Sequence, residues 1–278
     1  MTPLSHHRTL TVVIPCLNDA ELLRDCLASI NAQTVTPDEI IVVDNGSTDN
    51  SVQIAEEAGA TVVHESRRGI TWASAAGYNA AGGEVIVRID ADCTLHPDYI
   101  TRIHETWDRA LLETTAASKT VASKTVVALT GVGSFDLPGR MGERIADFYL
   151  GAYRWASRQA LGHNPIFGSN CSISRTWWEE VRDDIDLSNT FVHEDMYFSF
   201  FVRPHETVWF QKDLTVMMDP RALYGAKQIW TRVARGFHTV RSAWELEPVY
   251  IRLVRRGVVD ASIIPAQLLP RDLKPDLA

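Results

Sequence analysis

No stretch of the chain runs for about 18 uninterrupted apolar residues, the length a membrane-crossing helix needs, so no span is expected. No cleavage-site pattern follows the short apolar run 10–14, which argues against a secretory signal. Cys16, Cys26, Cys93 and Cys171 show neither a CxxC pair nor zinc-ligand spacing. They read as buried thiols in a reducing compartment, and a cytoplasmic protein is expected. Positive charge is also short: 27 Lys and Arg stand against 35 Asp and Glu, a net −8. That balance argues against a protein that grips nucleic acid with its whole surface. Two phosphate-binding signatures are missing from Pro15-Cys-Leu-Asn-Asp19, the turn after the first apolar run. It has no GxGxxG, which a dinucleotide-dependent oxidoreductase requires. It also has neither glycine nor base to cradle a triphosphate, as a nucleotidyltransferase normally does.

What is present is the pattern of an α/β enzyme. With 278 residues, 45% hydrophobic and 22% charged, the chain can build one large domain or two small ones. Residues 10–14, 39–43, 60–63 and 84–89 have the length and content of buried strands. Between them, 19–33 places Leu22, Leu23, Cys26, Leu27 and Ile30 at helical spacing, and 51–58 and 71–81 read as helices. This βαβαβαβ order predicts a mainly parallel sheet flanked by helices, with ligands beyond the carboxyl ends of the strands. Further on, the pattern predicts a helix over 97–112, a strand over 125–129, a glycine-rich loop over 131–142 and a helix over 144–161. It then predicts a strand over 209–218 and a long basic amphipathic helix over 222–244. The near-repeat Ser118-Lys-Thr-Val, Ser123-Lys-Thr-Val is too short to signal a repeat architecture. Pro265, Pro270 and Pro275 mark a loose tail. No linker divides the chain. Residues 1–220 are expected to form a single domain, with 221–278 as a helical extension and tail.

Three acidic clusters carry candidate chemistry. The first is Asp44-Asn45-Gly46-Ser47-Thr48-Asp49. An Asn-Gly turn accounts for it structurally, yet a carboxylate at a strand end can also accept hydrogen bonds from a nucleobase or ribose. The second is Asp90-Ala91-Asp92 at the end of the fourth strand. Residues i and i+2 of an extended segment point the same way, and two such carboxylates repel unless a cation lies between them. Mg²⁺ or Mn²⁺, which take oxygen ligands, fit that need, although Asp pairs are also common in turns. The third is His193-Glu194-Asp195, just before the apolar run 196–202. Asp195 there is either a helix cap or a general base that takes a proton from an acceptor hydroxyl. Charge is unevenly placed: residues 1–110 carry 16 acids against 7 bases, and 221–256 carry 8 bases against 2 acids. An acidic half with a basic tail suits a site for a cation and an anionic ligand, and equally suits two solvated faces.

Taken in order, Thr11-Val-Val-Ile-Pro15, Val42-Val-Asp-Asn-Gly-Ser-Thr-Asp49, Asp90-Ala-Asp92, Gly168-Ser-Asn170 and Glu194-Asp195 resemble the inverting family-2 glycosyltransferases of GT-A fold. The resemblance covers residues 9–203, and Arg67-Arg-Gly-Ile-Thr71 through Gly77-Tyr-Asn79 looks like the bacterial members. It implies a Rossmann-like GT-A sheet, with residues 9–110 as the nucleotide-sugar half and 111–220 as the acceptor half. It also implies a nucleotide diphosphate sugar donor and a divalent metal, Mn²⁺ or Mg²⁺. By the same resemblance Asp44 contacts the nucleobase, beside the backbone from Pro15 to Asn18. Asp90 lies near the ribose and pairs with Asp92, the metal ligand. Arg67 or Arg68 touches base or phosphate, unless the pair is simply solvated. Asn170 belongs to the loop that borders donor sugar and acceptor, and Asp195 is the base of a single displacement that inverts the anomeric centre.

One motif of that family is absent. Members with processive or lipid-linked acceptors carry Gln-x-x-Arg-Trp after the base, whereas Gln228-Ile-Trp-Thr-Arg232 has similar residues in another order. The acceptor stays open between a saccharide, a lipid-linked sugar and a small molecule, with no nucleic-acid partner expected. Residues 222–244, with Trp230, Phe237 and Trp244, either pack on their own domain or lie on the anionic inner face of a membrane. The alternatives are a nucleotidyltransferase and a catalytically inactive nucleotide-sugar-binding module. Asp90, Asp92 and Asp195 all being present argues against the second.

Overall fold

The computed structural model describes residues 8–117, 124–224 and 226–274. The first SKTV copy and Pro275 lie outside the described residues. The first half runs β1 (Leu10–Cys16), α1 (Ala20–Asn31), β2 (Glu39–Asp44), α2 (Ser51–Glu57), β3 (Thr61–His64), α3 (Ile70–Ala80) and β4 (Val85–Ile89). The second runs β5 (Cys93–Leu95), α4 (Tyr99–Ala117), β6 (Thr125–Phe135), α5 (Met141–Leu161), β7 (Asn170–Ser174) and α6 (Arg175–Val181). It continues through α7 (Glu194–Ser199), β8 (Glu206–Met218), α8 (Ala226–Leu246) and α9 (Val249–Arg255).

The strands form one sheet in the order β3-β2-β1-β4-β7-β6-β8-β5. β3, β2, β1 and β4 pair in parallel, as the alternating pattern predicts, and β6 pairs in parallel with β8. β7 lies antiparallel between β4 and β6, and β5 lies antiparallel to β8. The α/β class and the mainly parallel, helix-flanked sheet are as expected. β1 explains why its sequence is apolar throughout: Leu10, Val12 and Ile14 enter one core and Val13 the other, so both faces are covered. α1 meets the first core through Leu23, Cys26, Leu27 and Ile30, the i, i+3, i+4, i+7 stripe of an amphipathic helix. On the opposite face Trp178 is almost wholly buried, edge-on to Tyr78 at 5.0 Å and against Phe198 at 5.5 Å. Its indole N–H donates to Asn79 Oδ1 at 2.8 Å, so burial leaves no polar group unpaired.

Three local expectations are corrected. The glycine-rich loop predicted over 131–142 is largely strand, because Val132 to Phe135 continue the β6 ladder on β8. Gly131 serves close approach there: a Cβ would lie 2.3 Å from both Asn170 Nδ2 and Leu214 O. The helix predicted from 222 begins at Ala226, after a one-turn 3₁₀ helix, Pro220–Leu223, capped by Asp219. The tail is not loose as far as Lys274. Arg256 donates to the carbonyls of Val202, Arg203 and Glu206, and Leu269 is buried. Three carbonyls at and just before the start of β8 thus hold the end of α9 against the domain.

Candidate active site

The parallel strands deliver their carboxyl ends to one edge of the sheet, and the acidic residues gather there. β4 carries a charged residue, Arg88, within its apolar run, and the side chain is 4% exposed. Its guanidinium reaches Asp90 Oδ1 at 2.8 Å and lies 3.7 Å from Glu194 Oε1. Burial alone would favour losing the Arg88 proton, but the charges of Asp90 and Glu194 outweigh it and hold the cation. The loop entering β7 closes over this group. Ser169 Oγ donates to Asp90 Oδ2 at 2.5 Å, and the Gly168 N–H donates to Asp195 Oδ2 at 2.9 Å. Only glycine fits at 168, because a Cβ would stand 1.5 Å from Arg88 Nη1. Two consecutive loop residues thus join the Asp90 end of β4 to the Asp195 end of α7.

Asp195 lies in the first turn of α7, where Oδ1 also accepts the Met196 N–H at 2.7 Å. Glu194 beside it is buried and accepts Ser74 Oγ at 2.8 Å. Burial pushes its carboxyl up to about 7; Arg88 pulls it back and the Asp195 charge adds to the rise.

Asp90 and Asp92 do not meet the same partner. Both oxygens of Asp90 are engaged by Arg88 and Ser169, whereas Asp92 turns to Arg221, whose Nε and Nη2 each lie 3.0 Å from its Oδ2. The other side of that guanidinium grips Asp19. Burial and the Asp90 charge raise the Asp92 carboxyl, with Arg221 acting the other way. Two carboxylates here share one cation, and their donors are hard oxygens. Among the described residues no three His, Cys, Asp or Glu side chains converge as a metal cage. A divalent ion here would take Asp92, complete its shell from diphosphate and water, and suit Mg²⁺ or Mn²⁺. The residues fit such an ion on those terms, with Asp92, whose Oδ2 is held by the half-exposed Arg221, as the ligand rather than Asp90, both of whose oxygens are engaged from buried or loop positions.

At the ends of β1 and β2, Asn18 adopts φ 55°, the left-handed region that Asn tolerates. Its Oδ1 accepts the Thr48 N–H at 2.7 Å and its N–H donates to Ser47 Oγ at 3.1 Å, tying the two strand-end loops together. Asp44 accepts the Ser47 N–H at 2.8 Å and faces His64 Nδ1 at 3.2 Å. Burial would raise its carboxyl, but Ser47 and His64 bring it below the ordinary value. Asn45 is buried and staples the next loop, donating to Glu65 O and Arg67 O and accepting the Gly69 N–H, all at 2.8 Å. Arg67 pairs with Glu65 and stacks 3.7 Å over Trp72, while Arg68 donates to Asn45 O and Gly46 O. Pro15 is buried within β1, paired with Val43, so only backbone at that position can border a ligand.

Asn170 lies elsewhere than the resemblance implies. It is fully buried, accepts Tyr99 Oη and donates to Val132 O and Leu214 O, so its amide holds the sheet together. Gly168 and Ser169 are the loop residues that reach the carboxylates. Sequence reasoning also missed Arg88 and Arg221, and it held Ser169 and Asn45 only as members of their motifs. A lone arginine inside Val85-Ile-Val-Arg-Ile89 was the available signal for Arg88. Arg221 had none, being 129 residues from Asp92 and 202 from Asp19.

Comparison with known proteins adds the family. The profile described as glycosyl transferase family 2 matches residues 11–127. An uncharacterized glycosyltransferase of Mycobacterium bovis is 33% identical over 153 residues, 54% of this chain and 68% of its own length. The uncharacterized glycosyltransferase YibD of Escherichia coli is 36% identical over 93 residues, 32% of this chain and only 27% of that relative. Among solved structures, a mannosyltransferase from Pyrobaculum calidifontis in complex with GDP-Man and Mn²⁺ has a TM-score of 0.61 at 20% identity, covering 90% of this chain and 69% of that one. Glucosyl-3-phosphoglycerate synthase from Mycobacterium tuberculosis, in complex with Mn²⁺, UDP and phosphoglyceric acid, has a TM-score of 0.53 at 19% identity. That match covers 96% of this chain and 84% of that one. At these identities the structures establish a shared GT-A fold. Over the mycobacterial relative the match extends to two-thirds of a whole protein, and this chain belongs to glycosyl transferase family 2.

Proposed function

We propose that the chain is an inverting glycosyltransferase that moves a sugar from a nucleoside diphosphate to an acceptor hydroxyl, with Asp195 as general base. The observation that carries this reading is the bridge made by Gly168 and Ser169, which sets Asp195 beside the Asp90 end of β4. A base next to the donor's carboxylate shelf is what a one-step displacement needs. The acceptor oxygen attacks the anomeric carbon while its proton passes to the Asp195 carboxylate. The bond from that carbon to the phosphate oxygen breaks, its electron pair leaves with the diphosphate, and the configuration inverts. Asp92 would hold a divalent ion, which when bound would supply charge stabilisation to that leaving group. In this reading Asp44, the backbone from Pro15 to Asn18 and the loop carrying Arg67 meet the nucleobase, and Asp90 lies near the ribose. The Mn²⁺ and nucleotides in the two structural relatives support this reading of donor and metal. Slow donor hydrolysis should appear with UDP-, GDP- or dTDP-sugars in Mn²⁺, disappear in excess EDTA and fall sharply in Asp92→Asn. Full wild-type turnover in EDTA would remove the metal from the scheme.

The acceptor side points to a surface. α8 packs against the segment preceding the base: Arg235 donates to Val192 O at 2.8 Å, and the His193 N–H donates to Thr239 Oγ1 at 2.8 Å. Its outer side carries Trp230, Phe237 and Trp244 seven residues apart, the first two 73% and 75% exposed. α5 repeats the spacing with Met141, Phe148 and Trp155, the last two 81% and 69% exposed. Aromatic rings beside arginines favour an anionic lipid surface, and this supports an acceptor presented there. No helix among the described residues is long and apolar enough to cross the membrane itself.

A further inference from the structure

Arg221 occupies an unusual position for a surface arginine. The 3₁₀ turn that carries it is fixed at its start: Asp219 Oδ1 accepts the Arg221 N–H at 2.8 Å, and the Asp219 N–H donates to Asp92 O at 3.1 Å. The backbone is therefore tied to the segment after β4, while the side chain is 47% exposed and held only through its guanidinium. Its guanidinium spans Asp19, at the start of α1, and Asp92, whose side chains are 20% and 17% exposed. A planar fork of donors of this kind accommodates a carboxylate or a phosphate equally well.

The contacts set up a competition. Asp92 is the carboxylate that a divalent ion would take, and Arg221 holds its Oδ2 while the Cys93 thiol faces its Oδ1. A dication arriving alone would have to displace the guanidinium or lie beside it, and like charges so close repel. A dication arriving with a nucleoside diphosphate brings its own anion, onto which the guanidinium can transfer. The same residue then opposes the metal when it is alone and favours it when nucleotide is present.

We propose that Arg221 couples metal binding to nucleotide binding, holding Asp92 and Asp19 until a nucleoside diphosphate takes over its guanidinium. The nature of the ligand rests on the glycosyltransferase reading. Arg221 is a nucleotide-binding and positioning residue in this scheme, and by linkage the metal must raise nucleotide affinity by the same factor that nucleotide raises metal affinity.

Free Mn²⁺ measured by electron paramagnetic resonance tests this without turnover. Wild type, Arg221→Gln, Arg221→Lys and Asp92→Asn are titrated with Mn²⁺ alone and with UDP, GDP or dTDP, against protein-free Mn²⁺–nucleotide baselines. In wild type, one nucleotide should tighten Mn²⁺ binding about tenfold or more. Arg221→Gln should bind Mn²⁺ alone several-fold more tightly than wild type and lose most of the nucleotide enhancement. Arg221→Lys, which keeps the charge but not the fork, should fall between them. Asp92→Asn should bind no Mn²⁺ under either condition. A purely structural arginine would weaken both titrations together. Mn²⁺ binding by Arg221→Gln no tighter than wild type, or an undiminished enhancement, overturns the coupling while leaving the transferase reading intact. A wild-type protein that binds no Mn²⁺ with UDP, GDP or dTDP overturns both the coupling and the metal-assisted step, and the two failures are distinguishable in that first titration.

Discussion

Each oxygen of Asp195 accepts one backbone N–H, from Met196 and from Gly168, which fixes the carboxylate's orientation and leaves lone pairs for an acceptor proton. Asp195→Asn should therefore lower transfer by about 10²–10⁴-fold with donor affinity nearly unchanged. Calorimetry on the donor and single-turnover transfer check the two halves; wild-type transfer by the folded variant would eliminate this base. Glu194 behaves differently, since burial raises its carboxyl from 4.5 to about 7. Between those values the unfolded chain ionises first, so the folded state binds more protons and stability falls as pH rises. Below 4.5 the group is protonated in both states and costs nothing; above 7 the whole penalty is present. Replacing it by Gln removes this dependence. The stability of Glu194→Gln relative to wild type, from urea titrations at pH 5 and pH 8, should improve at the higher pH. A constant difference would mean that Glu194 keeps its charge throughout.

At the scale of elements, the site depends on how the β7 loop sits on β4. Gly168→Ala places a methyl group into a buried guanidinium that has nowhere to relax, because Asp90 and Glu194 hold it. Displacing a buried ion pair costs about 3–5 kcal/mol. Thermal melting should show that loss, and transfer should fall even at temperatures where the variant is folded, since Asp195 and Asp90 share the same loop. A melting temperature equal to wild type would show that Arg88 can move aside. This arrangement was only partly legible in sequence. The strands β1, β2 and β4 and helices α1 to α3 announce themselves because each buries apolar residues at the right period, whereas β3, at the sheet edge, only half-buries Val62 and Val63. β7 does not: Asn170-Cys-Ser-Ile-Ser174 is half polar, and it is a strand because two neighbours in the sheet supply its ladder.

For the whole molecule, an acidic chain carries two helices whose outer aromatic residues stand among Arg144, Arg158 and Arg241. The protein should sediment with vesicles of anionic lipid at low salt and release at high salt, as a charge-assisted interfacial contact does. Replacing Phe148, Trp155, Trp230 and Phe237 by Ser should abolish sedimentation while leaving donor binding intact. Absence of binding at low salt would remove the membrane and leave an acceptor free in solution.

The amino-acid order alone determined the strand and helix pattern of the first half, the position of each carboxylate at a strand end, and the turn chemistry of Asn45-Gly46. All of these depend on neighbours within a few residues, through periodicity, propensity and short-range hydrogen bonds. Tertiary structure decided which carboxylates remain available. Asp90 is taken by Arg88 and Ser169, Asp92 by an arginine 129 residues away, and Asn170 by the core. Partners for a charged group are chosen by distance in space, and a chain that folds β7 in beside β4 brings together residues whose spacing in sequence carries no signal.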